Sequence, residues 1–166
     1  RGIHALPARR HRLDHSERAL RYEKIIEHRG GQRDADLLAC REPVHDFLQS
    51  AEHGDTVLCH NDLLAANRLR SGGRLWAIDW EYCAMASPWY DLAVTMEGDE
   101  LDGQQAALLV RHYLGREASA QELRQLERYR CIYRYLELLW YLARDAPSQA
   151  IAERSAQLRE RLATTP

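Results

Sequence analysis

Three oxygen-bearing side chains, Asp62, Asn67 and Asp79, follow one another in the order and chemical type that phosphoryl transfer requires. That reaction needs a carboxylate to orient the attacking hydroxyl and accept its proton, and hard oxygen ligands to hold magnesium against the phosphates. Asp62, in the run Leu58-Cys59-His60-Asn61-Asp62-Leu63-Leu64-Ala65-Ala66-Asn67, suits the first task. The amide carbonyl of Asn67 and the carboxylate of Asp79, in Trp76-Ala77-Ile78-Asp79-Trp80-Glu81, suit the second. His60 is placed to pack and fix the backbone of the same loop. Taken singly, each of these residues is more simply a turn or capping residue between strands. The ordered set is what points to catalysis.

The motif continues into Tyr82 and, further on, Tyr90-Asp91-Leu92-Ala93. The whole order resembles the aminoglycoside phosphotransferase superfamily, and within it the choline/ethanolamine kinases with their bacterial thiamine and lipopolysaccharide-choline kinase relatives. The match is most specific over 58–80. The resemblance implies a protein-kinase-like fold, with ATP and magnesium as cofactors. It makes Asp62 the catalytic base and Asn67 and Asp79 the magnesium ligands, while Asp91 ties down the catalytic-loop backbone without touching substrate.

The family's amino-terminal lobe, with its glycine-rich strand turn and phosphate-gripping lysine, has no counterpart here. Lys24 is the sole lysine and lies in a helical pattern. Gly30-Gly31 and Gly72-Gly73 read as a helix stop and a hairpin turn, not as phosphate cradles. Arg1-Gly2-Ile3-His4-Ala5-Leu6-Pro7 opens without a methionine. The expectation is therefore a carboxy-terminal lobe only, whose partner is the missing amino-terminal lobe of the same protein.

A second constellation bears on substrate. Tyr129, Tyr133, Leu136, Glu137, Trp140 and Tyr141 recur at steps of three and four along a long helical stretch, placing ring faces and one carboxylate along one side. Ring faces attract quaternary or protonated amines, Trp most strongly. Core packing is the competing account and the better one for Tyr129 and Leu136. Tyr133, Glu137 and Trp140 are the candidate substrate residues, because a carboxylate among aromatics either reaches water or meets a cation. By the same resemblance Tyr82 helps, and the substrate is a small cationic alcohol: choline, ethanolamine or thiamine, with aminoglycosides behind. Glu97, Asp99, Glu100 and Asp102 would draw such a cation toward a cleft, although runs of this kind are more often solvated loops.

The elements that must position these residues are mostly helical, in an α+β arrangement with one small β-hairpin sheet. Asp14 with Glu17 caps a helix over 14–28. A second stretch, 34–52, reads as two short helices broken near Arg41 by Pro43. Residues 56–59 read as a buried strand, and 67–70 with 75–79 as a hairpin across Ser71-Gly72-Gly73. Helices follow over 90–96, 103–114 and 119–144, the last opened by a Ser119/Glu122 capping box, and a final one begins after Pro147.

With 166 residues and 45% hydrophobic content, residues 1–166 are expected to form a single domain. The net charge of -2 comes from 23 basic and 25 acidic residues spread along the chain, which leaves no basic stripe and disfavours a nucleic-acid partner. No apolar run is long enough for a membrane span, and the four separated cysteines suit a reducing, cytoplasmic setting. Two rival readings remain: a non-catalytic binding lobe that keeps the pocket and passes no phosphate, and a magnesium-dependent phosphohydrolase.

Overall fold

A computed structural model of the chain describes residues 2–29, 35–51 and 55–165. In order they form a 3-10 turn at Ile3–Ala5, α1 (His15–His28), α2 (Ala35–Ala51), β1 (Val57–Cys59) and a second 3-10 turn at Ala65–Asn67. Then come β2 (Arg68–Ser71), β3 (Arg74–Ala77), β4 (Ala84–Ala86), α3 (Pro88–Gly98), α4 (Gly103–Leu114), α5 (Ala120–Ala143) and α6 (Ser148–Thr164). Helix dominates, as the α+β reading expects. The chain divides into two compact units: Arg1–Leu13 with Gly54–Leu126, and Asp14–His53 with Glu127–Pro166.

In the first unit, Leu92 and Met96 lie one turn apart on α3 and share a buried cluster with Ala106 and Val110 of α4 and with Leu126. Trp89, Leu101, Leu109 and Tyr113 close its edge. The strands make two separate antiparallel pairs where one sheet was expected. β1 pairs with β4, a three-residue strand too short to be seen in sequence periodicity, with Leu58 opposite Met85 and Cys59 opposite Ala84. On its other side β4 meets the chain before α1, where the Met85 N–H donates to His11 O at 2.9 Å.

β2 and β3 form the hairpin. Gly72 and Gly73 turn it with φ of 56° and 72°, the left-handed pair that a two-residue turn matched to strand twist demands. β3 stops at Ala77, short of the expected end, so Asp79 lies in the irregular segment beyond the strand and not at its end.

In the second unit, α1 opens with the Glu17 N–H donating to Asp14 Oδ1 at 3.0 Å. Pro43 does not split the next stretch: α2 is one helix with the proline inside it. A proline in a helix interior costs about 3 kcal/mol. Leu37, Val44 and Leu48, flanking it on one face, are all buried, and each contributes about 1.5–3 kcal/mol. The three together outweigh the lost bond. Gly30, Gly31 and the outer ends of the 34–52 stretch fall outside the described residues.

α1, α2 and α5 are cross-linked by a polar node. Glu23 Oε1 accepts from Tyr135 Oη and His45 Nε2, both at 2.7 Å, and Oε2 accepts from Arg41 Nε at 3.0 Å. Burial pushes the Glu23 pKa up, but the hydrogen bonds from His45, Tyr135 and Arg41 outweigh it and hold the carboxyl below its usual range. A carboxyl with a depressed folded pKa stabilises fully above its unfolded value and loses that contribution as pH falls through the folded one. Glu23→Gln is therefore expected to cost about 2 kcal/mol at pH 7 and progressively less below pH ~4.5. Urea denaturation at pH 7 and pH 4 would show the difference between the two proteins shrinking; a constant difference would contradict the node.

Candidate active site

α3 is the anchor of the motif loop. It begins with Ser87 at the cap position and Pro88 in the first turn, where a missing N–H has no consequence. One turn in, the Asp91 carboxylate is 2% exposed and accepts three hydrogen bonds. They come from His60 N at 2.9 Å, Asn61 N at 2.7 Å and His4 Nε2 at 3.0 Å. A turn further along the same face, Thr95 Oγ1 donates to Leu63 O at 3.3 Å. Asp91 and Thr95 thus grip the backbone on both sides of Asp62.

Within the loop, Asn67 Nδ2 donates to Asp62 Oδ2 and to Asp62 O, both at 2.8 Å. Its two N–H groups are committed to these bonds, so the carbonyl oxygen is the atom Asn67 can turn to a metal. Asp62 and Asn67 are half-buried and Asp79 is exposed, an accessibility suited to hydrated magnesium. The set Asp62, Asn67 and Asp79 is all oxygen when it faces a metal, which fits that ion.

The loop is tied to the segment carrying Asp79. Ile78 N donates to Asn67 O at 3.0 Å, and His60 Nε2 lies 2.8 Å from Ile78 O. A carbonyl oxygen only accepts, so Nε2 carries the imidazole proton. His60 is fully buried, with its ring 4.9 Å from that of Trp80. Asn61 Nδ2 donates to Tyr82 O at 3.0 Å, which holds the half-buried Tyr82. Asn61 and Asp79 have φ of 63° and 61°, a left-handed backbone that Asn and Asp tolerate better than most residues. His60, Asn61, Asp62, Asn67, Tyr82 and Asp91 are thus joined by hydrogen bonds within the first unit, and Asp79 directly follows Ile78, which is bonded to Asn67 and His60.

Tyr133, Glu137 and Trp140 lie in the second unit. Tyr133 is buried, at 8% exposure. Glu137 Oε2 accepts from Arg134 Nη1 at 3.0 Å, and Oε1 lies 3.8 Å from Arg154 Nε. Trp140 is half-buried, its ring 5.2 Å from that of Tyr141. The acidic run is solvated only in part: Glu100 and Asp102 are exposed, the latter capping α4, whereas Glu97 is buried and Asp99 pairs with Arg68.

Sequence reasoning missed His4 and Arg68. His4 binds Asp91 through Nε2 and the Tyr113 hydroxyl through Nδ1, at 3.0 Å each, from 87 and 109 residues away. No spacing pattern signals a contact of that span. Arg68, next to Asn67, donates from Nε to Leu64 O at 3.2 Å and forms an ion pair with Asp99. Cys59, by contrast, is no nucleophile: burial, and then the Asp91 charge, push its pKa far up, and the thiol donates to Ser87 O at 3.4 Å.

A buried aspartate, Asp91, fixes the loop that carries Asp62 and Asn67, and Asp79 lies on the adjoining segment. A family model for the phosphotransferase enzyme family matches residues 1–129, and the chain belongs to that family. It is similar to protein LicA of Haemophilus influenzae, 37% identical over 70 residues, or 40% of this chain and 26% of LicA. Among solved structures, a choline/ethanolamine kinase family protein from Mesorhizobium loti has a TM-score of 0.84 at 25% identity, over 98% of this chain and 59% of that one. Choline kinase LicA from Streptococcus pneumoniae has a TM-score of 0.80 at 25% identity, with the same coverage. The fold is thus kinase-like, and this chain spans just over half the length of those solved proteins.

Proposed function

We propose that this chain is the catalytic and substrate lobe of an ATP- and magnesium-dependent kinase that phosphorylates the hydroxyl of a small cationic alcohol. Choline, ethanolamine and thiamine lead, with aminoglycosides behind. The observation that carries the proposal is the bond from Asn67 Nδ2 to Asp62 Oδ2, which joins base and metal ligand in a loop fixed by Asp91. Asp62 orients the acceptor hydroxyl and takes its proton. Asn67 and Asp79 would hold magnesium, whose charge would stabilise the transferring phosphoryl group. Asp91 and His60 are positioning residues. Within the second unit, Tyr133 and Trp140 are the rings read as facing a cationic group, with Glu137, engaged by Arg134, on the same helix.

Residues 1–166 serve as one lobe, and the phosphate-gripping lysine comes from an amino-terminal lobe of the same protein. A reaction that uses ATP suits a cytoplasmic setting. Among the described residues no helix is long and apolar enough to cross a membrane. The rival, a non-catalytic binding lobe, draws support from the absence of any lysine but Lys24. An assay by ³¹P NMR separates the two. With ATP and magnesium, the protein carrying both lobes is expected to turn choline, ethanolamine or thiamine into its phosphomonoester, while the isolated 166 residues turn over at least about a hundred-fold more slowly. Normal kinase turnover by the isolated chain would overturn the two-lobe reading. Binding of these alcohols by the two-lobe protein without turnover would favour the rival.

A further inference from the structure

In the second unit, Trp140 and Tyr141 place their rings 5.2 Å apart at 66°, and each ring already carries a guanidinium. Arg144 Cζ lies 4.3 Å from the Trp140 centroid, and Arg154 Cζ lies 4.1 Å from that of Tyr141. The two arginines are held differently. Arg154 Nη2 donates to Tyr141 Oη at 3.0 Å, and its guanidinium lies 3.8 Å from both Glu137 and Glu153. Arg144 is exposed, one residue past the end of α5. Among the described residues its guanidinium meets the Trp140 ring and no carboxylate.

The ring quadrupole that attracts this guanidinium is the one that would attract a substrate ammonium. A ligand taking the face under Arg144 must displace it. We propose that Arg144 is a built-in competitor on the Trp140 face, whose displacement lowers the affinity of the cation seat. The inference rests on the reading of α5 as that seat. Arg144 lowers affinity for every occupant of the ring face.

The test uses the 166-residue chain and the indole N–H signal of Trp140, assigned by its loss in Trp140→Phe. Choline and its uncharged carbon analogue 3,3-dimethylbutan-1-ol are titrated into the wild type and Arg144→Gln. Since Arg144 is exposed, the substitution leaves the core intact. Arg144→Gln is expected to tighten both ligands roughly three-fold, the factor that corresponds to an exposed cation–π contact. Tightening of choline alone would overturn the proposal, because it would report only the removal of a like charge. Unchanged or weaker binding of both would overturn it while leaving the cation seat standing. Failure of choline to move the Trp140 signal in either protein would sink the seat and the competitor together.

Discussion

Asp62→Asn, introduced into the two-lobe protein proposed above, is expected to lower kcat by about 10³-fold, the loss typical of removing a positioned general base. The nucleotide KM should change less than about three-fold, because the substitution leaves the proposed magnesium ligands Asn67 and Asp79 in place. Asn at position 62 can still present an oxygen to the Asn67 amide, now 2.8 Å from Asp62 Oδ2, so the loop should survive. A coupled assay of ADP release with choline, alongside thermal melts, measures both effects. If more than a tenth of the activity persists at unchanged melting temperature, Asp62 is not the base.

The second large effect is structural. Asp91→Ala removes the acceptor for two backbone N–H groups and one imidazole, at a position only 2% exposed. Buried donors left without partners after loss of a charged acceptor cost about 3–5 kcal/mol. At about 2–4 °C per kcal/mol for a chain of this size, the melting temperature should fall by roughly 10 °C. Hydrogen exchange should show the His60 and Asn61 amides losing protection first, since the bonds they donate end on this one side chain. A melting shift under about 2 °C with both amides still protected would mean that α3 holds the loop some other way.

The legible parts of the fold were those written in local chemistry. The Asp14 and Ser119/Glu122 caps, the Gly72-Gly73 turn and the α4 stop at Gly115 each rest on one or two residues whose conformational demands are strong. Pro43 misled because helix propensity is local while the burial of Leu37, Val44 and Leu48 is not. β4 escaped notice because three residues carry no periodicity, and its identity as a strand depends on β1, some 25 residues earlier.

The site divides along the same line. The types and order of Asp62, Asn67 and Asp79 name a chemistry because few reactions require that set. The hydrogen bond between Asn67 and Asp62 and the left-handed φ of Asp79 are consequences of three-dimensional closure. His4, which completes the shell of Asp91, is invisible in one dimension because its partner lies 87 residues away. The Arg68–Asp99 pair had a visible half, the acidic run, whose ordinary reading as a solvated loop hid its role.

The most direct measurement takes Mn²⁺ as a paramagnetic stand-in for magnesium, titrated into the ¹⁵N-labelled chain. The broadening of amide signals is expected to centre on the Asn67 side-chain amide and on residues 62 and 78–80, and to disappear in Asp79→Asn. Broadening centred on another surface, or persisting unchanged in Asp79→Asn, would contradict a metal seat formed by Asn67 and Asp79 beside Asp62.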